Sequence, residues 1–266
     1  MTTTPAAGRG TFFAMFRPST ECGAPVRTVA PTLRLERRLL RGGAARLGGM
    51  DEVGRGAPAG PVHVGLVVLD ANCGRPPTGV RDSKLLTASA RRRLVPGIEA
   101  WASAFAVGSA SPGEVDALGL NHALRLAGLR ALGQIDGPLE LVILDGKYDW
   151  LSPGDPTGVG TSFATRCPEV ITRVKADLSA TSVAAASILA KVARDAVMIG
   201  LAAEYPRYGW EANKGYGTPA HLRAIRTLGL TPHHRHSWRL PAPGWAAISA
   251  PAPWAGRGPA RPGCSA

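Results

Sequence analysis

The sequence predicts an α/β fold with one continuous core. Three observations predict it: apolar runs of strand length alternate with helical patterns between Leu33 and about Leu240, the connections are short, and 45% of the 266 residues are hydrophobic. Both ends stand apart from this pattern. Residues Met1 to about Pro31 are rich in Thr, Pro, Gly and Arg, with Glu21 the only acid, and are expected to be a disordered tail (1–31). An Arg-rich, acid-poor start also suits an organelle transit peptide, but the patch Phe12-Phe13-Ala14-Met15-Phe16 makes no clear amphipathic helix. Pro241 to Ala266 repeats Pro, Ala, Gly and Trp without a pattern, which reads as a second tail (241–266).

In chain order, Leu33 to Leu40 reads as a short basic helix leading into a strand that ends at Asp51. Pro61 to Asp70 is a β-rich apolar run, and Trp101 to Val107 reads as a further strand. The short connections suggest antiparallel pairing for these first strands. Ser111-Pro112-Gly113-Glu114 is a helix start, with Ser111 as cap, Pro112 at the first helical position and Glu114 three residues on. One apolar helix side then runs from Leu118 to Leu132. Leu139 to Leu144 is a strand ending at Asp145-Gly146, and Val170 to Val174 is a strand ending near Asp177. A long helix follows from about Ser182 to Glu204, where Pro206 stops it. A further helix starts with Thr218 as cap and Pro219 at its first position, and ends near Gly229.

The 31 Lys and Arg against 19 Asp and Glu give a net charge of +12, with a pI near 10.4, which favours a polyanionic partner such as nucleic acid. Only Lys84, Lys147, Lys175, Lys191 and Lys214 are lysines, and an Arg-, Ala-, Gly- and Pro-heavy composition of the kind a GC-rich genome produces dilutes that argument. Cys22, Cys73, Cys167 and Cys264 show no Cys-x-x-Cys spacing, so neither a disulfide framework nor a zinc site is supported. No apolar run approaches the roughly 18 residues of a membrane span. A soluble, cytoplasmic monomer without membrane contact is expected, as no heptad or interface-like repeat is present.

Chemistry concentrates in the acids. Asp51 and Glu52 precede the turn Gly54-Arg55-Gly56, whose glycines let the backbone approach a ligand while Arg55 offers a donor fork for phosphate or sugar. Neighbouring side chains of a strand point to opposite faces, so both acids reach one site only where the strand ends. Asp145 and Asp177 are expected at two further strand ends. Each acid taken singly reads as an ordinary strand-end or turn residue. Four gathered carboxylates would bind protons unless a cation offsets them, and all-oxygen ligation suits Mg²⁺ or Mn²⁺. On a basic protein such a site points to phosphoryl transfer with two ions per site.

These residues resemble bacterial ribonuclease HII, the type 2 ribonucleases H, over about Leu33 to Leu240. The carriers are Asp51-Glu52-Val53-Gly54-Arg55-Gly56 with Ala59-Gly60-Pro61, Arg81-Asp82-Ser83-Lys84, Leu144-Asp145-Gly146 and Lys175-Ala176-Asp177. Ala185 to Asp195 and Asn213-Lys214-Gly215-Tyr216-Gly217-Thr218 complete the set. The resemblance implies an RNase H-like fold, a mixed five-stranded sheet flanked by helices with a helical C-terminal part, here in one catalytic domain over 32–240. It implies an endonuclease that cleaves RNA in RNA–DNA hybrids and at single ribonucleotides embedded in duplex DNA, giving 5′-phosphate and 3′-hydroxyl ends. By resemblance, Asp51, Glu52, Asp145 and Asp177 hold the metals, and Gly54, Arg55 and Gly56 contact the ribose 2′-OH. That group is the one by which a protein tells RNA from DNA. Tyr216 lies, by resemblance, against the sugar of the following nucleotide, and Ser83, Lys84 and Lys191 look like phosphate contacts. His233-His234-Arg235-His236 is expected to be a patch for the nucleic-acid backbone, since no i, i+4 pair with a Glu suggests zinc.

Ala176 stands where the family usually has Gly, and Leu85 where it has a second Lys; neither swap touches a metal ligand. Ribonuclease HIII fits less well, because it lacks the Gly-Arg-Gly run, carries Glu at the position of Asp177 and has an additional N-terminal domain. Two rivals remain: a nucleic-acid-binding protein of this fold without turnover, and another RNase H-fold nuclease that cuts DNA.

Overall fold

Strand β2 (Val62–Asp70) is apolar on both sides because helices cover both faces of the sheet it belongs to. The computed structural model describes residues 30–152 and 168–241, so the expected tails, apart from their innermost residues, and Cys22, Cys167 and Cys264 lie outside the described residues. Cys73 is a free, half-buried thiol.

The sheet has five strands: β1 (Arg46–Val53), β2, β3 (Ala104–Ala110), β4 (Leu141–Asp145) and β5 (Glu169–Arg173), in the order β3-β2-β1-β4-β5. The first three pair antiparallel, as the short connections suggest, and β4 and β5 run parallel to β1. The helices are α1 (Arg34–Arg41), α2 (Ala88–Trp101), α3 (Pro112–Leu118), α4 (Leu120–Leu132), α5 (Thr181–Glu204), α6 (Trp210–Asn213) and α7 (Pro219–Leu228).

Alternation along the strands sorts the core into two layers. Met50, Val64, Leu66, Val142 and Leu144 meet α3 and α4 on one face. Leu47, Val67, Leu69 and Ile143 meet α1, α2 and α5 on the other. Helix α5 lies unusually close to the sheet: a Cβ placed on Gly65 would stand 2.2 Å from the Ala186 carbonyl oxygen. Ser182, Ala186 and Ala190, spaced i, i+4 and i+8 along α5, form the face that meets Gly49 and Gly65. A third cluster joins the end of α5, through Met198 and Ala202, to Tyr208, Trp210, Ile225 and Leu240, which makes the helical C-terminal part.

Helix α2 was not expected, because Pro96 and Gly97 interrupt its pattern. It takes Trp101 as its last residue, so β3 begins at Ala104 rather than at Trp101. The capping box at Ser111 and Glu114 forms as expected, with hydrogen bonds of 2.8 and 3.2 Å. The apolar run after it is two helices, because Gly119 at φ +77° ends α3 and precedes α4.

Candidate active site

The parallel register of β1 and β4 pairs Met50 with Leu144, so the next residues, Asp51 and Asp145, leave adjacent strands side by side. The strand does not end at Asp51, however. Asp51 still pairs with Gly65 and Glu52 with Val64, so the two carboxylates point to opposite sides of an intact ladder. Asp177 is not at a strand end either. It lies on a single 3₁₀ turn, Ala176–Leu178, which is tied to β4 where the Ala176 N–H donates to Asp145 Oδ1 at 2.6 Å.

Burial and the repulsion of neighbouring acids raise the Asp51, Glu52 and Asp177 carboxyls. Asp51 is pushed up to about 8, first by burial, then by the charges of Glu52 and Asp145, while the Ser187 hydroxyl and Lys84 oppose the shift. Glu52 is raised by burial with help from Asp145, against the pull of Arg55, whose guanidinium donates to Glu52 Oε1 at 3.2 Å. Asp177 is raised by burial, Asp145 and Asp82. Asp145 is thus the acid whose charge reaches each of the other three. Lys84 is the countercharge: its Nζ stands 3.4 Å from Asp177 and 3.7 Å from Asp82. Burial alone would lower the Lys84 ammonium, but Asp51, Asp82 and Asp177 outweigh it and raise the group.

Among the described residues, no three acidic, histidine or cysteine side chains already form a ready-made metal cage. The donor chemistry nonetheless fits a hard divalent cation. The donors are all oxygens, three carboxyls hold their protons too tightly for want of positive charge, and Glu52 Oε2 is a buried acceptor with no partner.

The Gly54-Arg55-Gly56 turn is held from behind by two fully buried arginines. Arg235 donates to the carbonyl oxygens of Gly54, Arg55 and Gly60 at 2.6, 2.8 and 3.3 Å. Arg194 donates to Pro61, Ala59 and Lys214 at 2.8, 2.9 and 2.9 Å. Burial pulls the Arg235 guanidinium down to about 10, which leaves it charged at neutral pH. Carbonyl oxygens thus solvate two buried cations that form no ion pair among the described residues. Gly54 has φ +85°, and a Cβ there would sit 2.2 Å from Arg194 Nε; Gly56 faces open space. The turn shows its Arg55 side chain, 45% exposed, and its glycine edge outward.

Tyr216 stands on the same clamp. Its ring centroid lies 5.1 Å from the Arg194 guanidinium carbon and 5.3 Å from Lys191 Nζ, and the Ala59 N–H donates to the Gly215 carbonyl beside it. His221 fixes the Tyr216 backbone. Its Nε2 accepts from Trp210 at 3.0 Å, so its proton sits on Nδ1 and donates to the Tyr216 carbonyl at 2.9 Å.

The other expected contacts are placed differently. Ser83 is buried, with its Oγ 2.7 Å from Ser187 Oγ, and so positions the site rather than facing solvent. Lys84 points into the acids. Lys191 pairs with Asp195 at 2.7 Å while flanking Tyr216. The His233 to His236 stretch is not a backbone-binding patch as a whole, because His234 and Arg235 are fully buried. Sequence reasoning missed Ser187, Arg194 and Arg235; Arg194 sits in an otherwise small-residue helix, which was the available signal.

A family profile described as Ribonuclease HII matches residues 48–240. The chain is 45% identical over 209 residues to the ribonuclease HII of Streptomyces coelicolor, covering 78% of this chain and 83% of that one. It is 44% identical over 208 residues to the ribonuclease HII of Paracoccus denitrificans, covering 78% and 91%. Among solved structures, the ribonuclease H2 of Pyrococcus horikoshii is 27% identical with a TM-score of 0.59, covering 74% of this chain and 95% of that one. Bst-RNase HIII in complex with Mn²⁺ is 25% identical with a TM-score of 0.57, covering 77% and 70%.

Proposed function

This chain belongs to the ribonuclease HII family and is an endonuclease acting on RNA–DNA hybrids, and we propose that it works with Mg²⁺ or Mn²⁺, two ions per site, and also cuts at single ribonucleotides embedded in duplex DNA. The catalytic unit is residues 32–240. The observation that carries the reading is the charge of Asp145 acting on Asp51, Glu52 and Asp177 alike, beside a turn whose Gly54 and Arg55 carbonyls the buried Arg235 holds.

Asp51, Glu52, Asp145 and Asp177 are the residues that would hold the ions. The chemistry such an ion would supply there is charge to offset the phosphate and a lowered pKa for a bound water. The chain's own residues do the rest. Arg235 and Arg194 fix the turn so that Gly56, which has open space before it, admits a ribose closely, and the turn's backbone tests for the 2′-OH. Tyr216, backed by Arg194, offers a flat plate to the next sugar. Ser187 holds the Asp51 carboxylate by a hydrogen bond that favours its charged form. Lys84 moderates the acids' repulsion in the free protein and stands ready for a phosphate oxygen.

Purified protein with Mg²⁺ or Mn²⁺ is expected to incise a DNA duplex carrying one ribonucleotide and leave 5′-phosphate and 3′-hydroxyl ends. Asp145→Asn should abolish the cut, by more than the about 10–100-fold typical of losing an outer-shell partner, while duplex binding persists. Absence of incision by wild-type protein would sink the embedded-ribonucleotide reading. Equal cutting of all-DNA duplex would point to a different nuclease of this fold.

A further inference from the structure

Helix α1 carries Arg34, Arg37, Arg38 and Arg41 at the i, i+3, i+4, i+7 spacing of one helix face, and all four are exposed. Together with Arg173, at the end of β5, they line a groove of about 790 Å³. None of the five guanidinium groups lies within ion-pair distance of a carboxylate of the described residues. The one acid of α1, Glu36, turns inward and is fully buried. Its Oε1 accepts from the Ser182 N–H at 2.8 Å and from the Ser182 hydroxyl at 2.9 Å. The helix is thereby fixed to the start of α5. A second tie joins the Thr32 N–H to the Ser179 carbonyl.

The groove's other wall is Leu178 and Ser179, the residues directly after Asp177. An unpaired cationic face is therefore anchored rigidly to the turn that carries one of the four acids. Five uncompensated arginines along one groove repel one another unless a polyanion runs through it. The chain's own N-terminal segment does not suit that role, since residues 1–29 carry Arg9, Arg17 and Arg27 against Glu21 alone. From Arg34 to Arg41 the helix rises about 10 Å, which matches about three phosphates of one strand.

We propose that the α1 groove is a second nucleic-acid contact, a track that grips the phosphate backbone of the duplex where it leaves the acid site past Leu178. The choice of an RNA–DNA hybrid as its occupant rests on the ribonuclease reading above. Its grip is charge-driven, blind to sequence and sensitive to salt.

The test uses the full chain with Asp145→Asn in the background, so that binding is read without cleavage. The dissociation constant for a fluorescent RNA–DNA hybrid is measured over a series of salt concentrations for the parent and for Arg34→Ala/Arg38→Ala/Arg41→Ala. Arg37 is spared because it contacts Cys73. The slope of log affinity against log salt is expected to fall by about two to three in the triple variant, near 0.9 for each phosphate that is no longer neutralised. A control removing the same charge from the exposed residues Arg92, Arg93 and Arg207 should keep the parental slope. If the triple variant melts early, Arg38→Gln/Arg41→Gln reads the same quantity, with an expected fall of about two. An unchanged slope, or an equal fall in the control, overturns the proposal. Cleavage by the wild-type chain is scored separately. Cutting with an unaltered slope fails the groove alone, and a lowered slope without any cutting fails the catalytic reading alone.

Discussion

The hydroxyl oxygens of Ser83 and Ser187 stand 2.7 Å apart in a buried contact that joins the Asp82-Ser83-Lys84 loop to helix α5. Ser187 also hydrogen-bonds the Asp51 carboxyl, so one hydroxyl links the loop that brings in Lys84 to the most perturbed acid of the site. Ser187→Ala removes the bond that favours ionised Asp51, so its pKa should climb further. The acid limb of the pH–rate profile is expected to move to higher pH, with about 1 kcal/mol of stability lost to the unmade hydrogen bonds. An unmoved acid limb would count against this role for Ser187.

Asp51 offers a test without turnover. Its folded-state pKa of about 8 lies above the ordinary 3.8, so the folded chain keeps a proton that the unfolded chain has released. Stability is therefore lost as pH rises from 3.8 toward about 8, and Asp51→Asn removes that slope. His63 and His234, lowered by burial to about 4 from 6.5, act in the opposite sense and lose stability as pH falls between those values. Both proteins share them, so they cancel in the difference. Measured without divalent ions, the Tm of Asp51→Asn minus that of wild type should grow across this window and then level off. A flat difference would contradict the raised pKa.

Gly54 and Gly56 look equivalent in sequence and are not equivalent in structure. Gly54→Ala places a Cβ on Arg194 in a left-handed backbone, so it should cost stability by about 1–3 kcal/mol or more in thermal unfolding. Gly56→Ala meets nothing within 4 Å and should leave stability within about 0.5 kcal/mol. Its effect is expected in KM for a ribonucleotide substrate, where the methyl group blocks close approach. Equal destabilisation by both would show that the turn's two glycines do the same work.

Arg235→Ala strands the carbonyls of Gly54 and Arg55 in a buried place. A loss of about 3 kcal/mol is expected, with poorer discrimination between ribose and deoxyribose as the turn loosens. Arg235→Lys should not restore either property, since an ammonium lacks the planar fork that spans both oxygens. Restoration by Lys would mean that charge alone suffices there.

Much of the fold was legible because its signals are local. The capping box at Ser111, the apolar runs of β2 and β4 and the proline after α5 each act within a few residues. Helix α2 was not legible: Pro96 and Gly97 argue against a helix locally, and Leu94 and Ile98, packed in the core, override them. The four acids stand out in the sequence, but their placement in the fold does not. Asp51 and Glu52 stay within the ladder, and Asp177 reaches the others through a turn hung on Asp145. Arg194 and Arg235 were the least visible of all. Their partners lie 135 and 181 residues away in the chain, and no local pattern distinguishes a buried arginine that binds carbonyls from a surface one.

The clamp on the Gly54 turn also sets an order of events during synthesis. The turn is among the first parts of the domain to leave the ribosome, yet the side chain that holds its carbonyls arrives 181 residues later. A nascent chain can thus carry Asp51, Glu52, Asp145 and Asp177 while the Gly54-Arg55-Gly56 turn still lacks its clamp. Chains stalled before residue 235 should be nicked by trypsin at Arg55, and chains released beyond it should resist. The turn takes its clamped shape only when the segment carrying Arg235 is in place, near the end of the domain.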